Sequence, residues 1–125
     1  MLQLKKIVGI VVGETNYGES SKIINIYTKE YGIISVISKG CRKIKSTLRS
    51  VSTKLTYGEF ILNYKEKNIS TLTGVDVIDN FRNIHSDIVL SSYAMYILEL
   101  ASKVSNQNDD KNVFDLLITS LKKNK

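Results

Sequence analysis

Five short runs rich in β-branched residues recur through the first eighty positions, and a longer gap after the third breaks their rhythm. The runs are Ile7 to Val12, Lys22 to Thr28, Ile33 to Ser38, Tyr57 to Tyr64 and Ile69 to Ile78. In the second, Ile24 and Ile26 fall on one face and Ile23, Asn25 and Tyr27 on the other, the alternation of a strand with two distinct sides. Turn chemistry separates the runs. Asn16-Tyr17-Gly18-Glu19 breaks the first, and Lys29-Glu30-Tyr31-Gly32 is a short hairpin connection in which Gly32 can supply a positive φ. Lys65-Glu66-Lys67-Asn68 is a polar turn. Gly9 and Gly74 lie inside runs and predict points where a barrel strand must bend, bulge or coil.

Strands at roughly ten-residue spacing with one long interruption fit a small closed barrel. The expected fold class is β + α, led by a five-stranded oligonucleotide-binding (OB) Greek-key barrel. An SH3-like barrel is the rival, because sequence does not reveal how strands close. Near Phe81 the period changes. Ser86-Asp87 reads as an N-cap followed by a first-turn acid. Apolar residues then recur at helical spacing from Val89 and Leu90 through Tyr93, Ala94, Ile97, Leu98 and Ala101 to Val104. Ser105 to Asn112 is a polar connection, with Asp109-Asp110 placed to cap a second helix. That helix, over Val113 to Lys122, puts Phe114, Leu117, Ile118 and Leu121 on one face, and Lys122 and Lys123 suit its C-terminal dipole. The division expected is 1–80 for the barrel and 81–125 for the first two helices of a helical domain, in a chain cut from something longer. The alternative is that both helices pack on the barrel of a complete small protein.

The long interruption carries the chemistry. Lys39 to Arg49 reads K-G-C-R-K-I-K-S-T-L-R, five cations in eleven residues with no acid among them. Residues 1–81 hold twelve Lys or Arg against seven Asp or Glu, while residues 82–125 hold six against five. Most of the net charge of +6 therefore sits in the front part, where an anionic partner is expected. A basic loop containing Gly and Ser, hung between two strands, is a means by which small barrels grip a phosphate backbone. Lys39, Arg42, Lys43, Lys45 and Arg49 are the candidate phosphate-backbone contacts, with Lys22 as a neighbour across the sheet. Four such contacts to a single strand would give a log–log salt slope of about −3. Tyr17 and Tyr31, beside turn glycines, are the candidate base-stacking rings. Tyr27 and Tyr64 fit the core as readily. The bland alternatives are an ordinary solvated loop, or an interaction module whose basic loop receives an acidic peptide tail.

Catalysis has little to stand on. His85 is the one histidine and Cys41 the one cysteine, which excludes an internal disulfide framework and a multi-cysteine zinc site within these residues. Cys41, flanked by cations but without a base or a partner thiol, reads as a buried or incidental thiol. Asp76 and Asp79 do not share one face of a regular strand, so no carboxylate cluster invites a nuclease metal. No phosphate-binding P-loop or dinucleotide fingerprint is present. No apolar run is long enough to span a membrane, and a reduced cytoplasm is the expected compartment.

The stretches K-I-V-G-I-V-V-G-E-T-N-Y-G-E-S-S-K-I and Y-T-K-E-Y-G-I-I-S-V-I-S-K-G-C-R-K-I-K-S together resemble the N-terminal region of bacterial RecO, a family of DNA repair and recombination mediators. The matching positions are Tyr17-Gly18-Glu19, Ser21 and Ile23; then Thr28 and Gly32; then Gly40, Arg42 and Lys43. Tyr57, Leu72, the segment Val77 to Arg82 (V-I-D-N-F-R) and Tyr93 to Leu100 also look like the family. The resemblance implies an OB-fold domain joined to a mainly helical one, binding of single- and double-stranded DNA, and strand annealing without a catalytic residue. It implies as partners the single-strand DNA-binding protein and RecR, with RecA loaded downstream, in the bacterial cytoplasm at the nucleoid. The four-cysteine zinc site of many members would lie in a later part, so no cofactor is expected in this chain.

Overall fold

The computed structural model describes residues 3–65, 69–108 and 111–123. Five strands come first: β1 (Leu4–Tyr17), β2 (Ser21–Thr28), β3 (Gly32–Ser38), β4 (Tyr57–Asn63) and β5 (Ser70–Asp79). They close into a barrel in the order β1-β2-β3-β5-β4, with β4 returning to β1. Every pairing is antiparallel except β3 with β5, where Val36 faces Ser70 and Ile37 faces Thr71. This is the strand order of the OB barrel, and it sets the SH3-like alternative aside.

β1 is the strand on which closure turns. Its first half pairs with β4 from Leu4 to Ile10, and its second half pairs with β2 from Gly9 to Tyr17. The expected turn at residues 16–19 starts later, because Asn16 and Tyr17 still pair with Lys22 and Ser21. The chain reverses only at Gly18, whose φ of 63° suits a residue without Cβ. The expected bend at Gly9 also has a different origin, since the register shift of β1 lies between Val11 and Gly13. Gly9 sits opposite Gly58 of β4. A Cβ on Gly58 would stand 2.5 Å from the Asp76 carbonyl oxygen, and one on Gly9 would stand 2.6 Å from Ile26 Cγ2. The pair is glycine because β2 presses on Gly9 and β5 on Gly58. Gly74 does flank a β4–β5 register shift, as expected.

Inside the barrel, Ile7, Val11, Ile24, Ile26, Val36, Phe60, Leu62 and Leu72 form one buried cluster, against which Leu48 of the β3–β4 connection packs. A second cluster lies outside the barrel wall. Ile10, Tyr27 and Leu55 meet Phe81 and Ile84 with the helical residues Ala94, Leu98, Phe114, Leu117, Ile118 and Leu121. Three helices supply them: α1 (Arg82–His85), α2 (Ile88–Asn108) and α3 (Lys111–Lys123). The Tyr27 ring meets Phe114 edge-on at 5.3 Å between centroids, so Tyr27 is core. The helices thus dock on the barrel flank.

Two local expectations shift. Asp87 caps α2, its Oδ1 accepting the Leu90 N–H at 3.0 Å, while Ser86 closes the short α1 that the apolar spacing did not reveal. The expected polar connection from Ser105 continues as helix to Asn108, since each added residue gains a hydrogen bond once a helix is nucleated. Asp109-Asp110 and the turn residues 66–68 lie outside the described residues. Among the described residues no helix is long and apolar enough to cross a membrane.

Candidate nucleic-acid interface

The connection from Lys39 to Thr56 contains neither strand nor helix, yet it is held at both ends. At its start Gly40 takes φ 65°, and its N–H donates to Ser21 Oγ at 2.9 Å. The Arg42 N–H donates to the Ser20 carbonyl at 2.9 Å. Its side chain grips the same turn, Nε donating to the Ser21 carbonyl at 3.1 Å and Nη2 to the Gly18 carbonyl at 2.6 Å. Three i→i+3 bonds then coil the segment, from Lys43 N–H to Gly40, Ser46 N–H to Lys43 and Arg49 N–H to Ser46. Cys41 turns inward and is buried.

Glu14 fastens the far end. Its Oε1 accepts Lys22 Nζ at 2.7 Å and its Oε2 accepts the Lys54 N–H at 2.9 Å. Lys22 also reaches the Ser52 carbonyl at 3.4 Å, and the Ser52 and Ser38 hydroxyls meet in the interior at 2.7 Å. Leu55, left-handed at φ 76° and fully buried, donates its N–H to the Val11 carbonyl. Burial pushes the Glu14 carboxyl upward, but the Lys22 ammonium and the Lys54 N–H outweigh it and hold Glu14 below its ordinary value.

This frame sorts the candidate cations. Lys39, Lys43, Lys45 and Arg49 are exposed, and among the described residues none has a side-chain hydrogen bond or ion pair. Arg42 and Arg49 line a cleft of about 400 Å³ with Lys22, Asn16, Cys41 and Thr53. Lys39, Lys43 and Lys45 stand on the loop outside it. Lys22 enters the cleft already paired, with its side chain 15% exposed. Tyr17 is exposed at the end of β1, beside the Gly18 carbonyl that Arg42 holds. Tyr31 is also exposed but lies at the opposite end of β2, about 20 Å away along the strand, with Lys5 Nζ 5.9 Å from its ring. Tyr64 lies 4.0 Å under the same ammonium. The structure therefore gathers Lys22, Arg42, Arg49 and Tyr17 at one end of the barrel and leaves Tyr31 at the other.

Two residues escaped the sequence reading. Glu14 is an acid inside the basic region, and nothing in its neighbours announces that it will meet Lys22 across a hairpin. Ile44 is 84% exposed between Lys43 and Lys45. Its signal was visible, an apolar side chain in a loop of charges.

Residues 1–81 match the sequence family described as Recombination protein O N terminal. The chain belongs to that family. Over 120 residues it is 38% identical to the DNA repair protein RecO of Bacillus cytotoxicus, which covers 94% of this chain and 47% of the relative. It is 38% identical over 121 residues to the RecO protein of Caldicellulosiruptor bescii, covering 96% of this chain and 49% of the relative. With the RecO protein of Listeria monocytogenes serotype 4b it shares 38% identity over 104 residues, 83% of this chain and 40% of the relative. The chain thus spans about half the length of the curated relatives it matches, and the family relation places it with DNA repair and recombination proteins.

Proposed function

We propose that this chain binds the DNA backbone through the loop from Lys39 to Arg49, as the DNA-holding part of a recombination mediator in the bacterial cytoplasm. The observation that supports this best is the pairing of a fixed loop with free charge. Arg42, Glu14 and Lys22 anchor the loop to the β1–β2 hairpin, while Lys39, Lys43, Lys45 and Arg49 face solvent unpaired among the described residues. A loop that is already ordered loses little freedom when phosphates dock, and each contact releases condensed counterions.

Phosphate contacts position without reading sequence, which suits a protein that holds single and double strands alike. Neutralising two backbones lets them approach and anneal with no chemical step, so the activity is not enzymatic. The single-strand DNA-binding protein, RecR and RecA belong to this proposal as partners of the mediator role, on the strength of the family relation.

Fluorescence anisotropy of a labelled oligothymidine across a salt series tests the reading. Lys43 and Lys45 are the residues to reverse, because Arg42 also holds the loop together. The double variant Lys43→Glu/Lys45→Glu should lose at least about 25-fold in affinity at 0.1 M salt and flatten the log–log slope by about 1.4. Unchanged binding would remove the loop from the interface. An acidic peptide that displaces the oligothymidine no better than salt does would set aside the peptide-receiving alternative.

A further inference from the structure

Lysine supplies fifteen of the eighteen cations in this chain, and arginine only three: Arg42, Arg49 and Arg82. The first two line the cleft beside the basic loop. Arg82 is remote from them in sequence, at the first position of α1 on the turn that leaves the barrel. Three neighbours set its place. Asp79 Oδ1 accepts the Phe81 N–H at 2.8 Å, and Asn80 Oδ1 accepts the Arg82 N–H at 3.2 Å. Phe81 between them is fully buried and left-handed at φ 50°, its ring stacked near Tyr57 at 6.4 Å between centroids. A bulky residue holds that backbone region only where packing over-determines it, and such strain gathers at functional sites.

The turn brings Asn80 and Arg82 to a cleft of about 290 Å³ shared with Ser50 and Thr53. Thr53 also lines the cleft of Lys22, Arg42 and Arg49. The two clefts therefore meet at Thr53, with Arg82 lining one and Arg42 and Arg49 the other. Thr53 is fixed by its hydroxyl, which donates to the Ser50 carbonyl at 3.2 Å. Leu55, the other left-handed non-glycine residue among the described residues, lies two positions further on. Among the described residues the Arg82 guanidinium has no hydrogen-bond or ion-pair partner.

We propose that Arg82 is a further phosphate contact, so that a single DNA strand held by the basic loop continues across Thr53 to the barrel–helix turn. The proposal rests on the DNA-binding reading above and extends its track. Arginine suits this position because its planar fork meets phosphate oxygens in pairs, whereas lysine acts as a point charge. Ser50 and Asn80 add hydroxyl and amide donors of the kind that hold sugar and phosphate oxygens.

The test uses the full chain with labelled oligothymidine, comparing the native protein with Arg82→Gln, Arg82→Lys and the control Lys103→Gln. Lys103→Gln removes the same charge from α2, at a residue that lines neither cleft. Arg82→Gln should weaken binding about fivefold at 0.1 M salt and lower the slope by about 0.7. Arg82→Lys should recover part of the affinity, and Lys103→Gln should change neither quantity. Should Lys43→Glu/Lys45→Glu lose binding while Arg82→Gln keeps native affinity and slope, the extended track is wrong and the loop assignment survives. A native protein that never binds the oligothymidine overturns both. If Arg82→Gln weakens capture of a polyglutamate peptide but not of DNA, the surface serves a protein partner and the proposal falls.

Discussion

Arg42 and Glu14 show how little a residue's charge alone says about its task. Arg42 was legible as a cation in a basic run, but its guanidinium holds the Gly18 and Ser21 carbonyls and so builds the platform from which its neighbours face solvent. Glu14 was not legible at all. Its partner is set by the register of β1 on β2, which brings Asn16 opposite Lys22 and Glu14 two residues away. Because its folded carboxyl is held below the ordinary value of 4.5, ionised Glu14 contributes stability above that value. The contribution fades as pH falls through the depressed folded value. Glu14→Gln should therefore flatten the acid limb of a stability–pH curve measured by urea denaturation, and lower stability at neutral pH. The same change removes the one acid bonded to Lys22 at the cleft, so oligothymidine affinity should rise. A variant that loses stability and affinity together would show that Glu14 acts only as a strut.

At the scale of elements, the strands were readable because alternation and turn residues are local properties. What decides their ends is cross-strand pairing, which is why β1 runs on to Tyr17 through a segment rich in turn formers. The Gly9–Gly58 pair illustrates the same limit. Both glycines were visible, but the reason for them is another strand's backbone. Gly58→Ala would place its methyl 2.5 Å from the Asp76 carbonyl oxygen and should cost about 1–3 kcal/mol by overpacking. Gly74→Ala, whose methyl would meet only Ile61 Cδ1 at 3.8 Å, should cost much less. Thermal melts of the two variants make the comparison, and equal losses would refute the close-approach account. The β3–β4 connection is the opposite case. Its composition announced a loop, while its order comes from bonds to residues twenty or more positions away.

For the whole molecule, the helices and the barrel share one outer core. Tyr27 of β2, Phe81 of the exit turn and Phe114 of α3 meet in it, so the parts should melt together. Phe114→Ala should cost about 3–5 kcal/mol and shift helix and barrel signals in circular dichroism and tyrosine fluorescence by the same amount. Helix signal lost well before the barrel would show that the two are only loosely joined. The sequence alone determined that five strands precede helices, that the third connection is basic, and that the front of the chain carries most of the charge. Those features arise from periodicity and composition, which act over a few neighbouring residues. Tertiary structure alone decided the ring order, the parallel β3–β5 pair, the burial of Tyr27 between wall and helix, and the sharing of Thr53 between the cleft of Arg42 and Arg49 and the cleft of Arg82. Each of these depends on contacts between residues far apart in the chain, and only closure of the barrel brings them within reach.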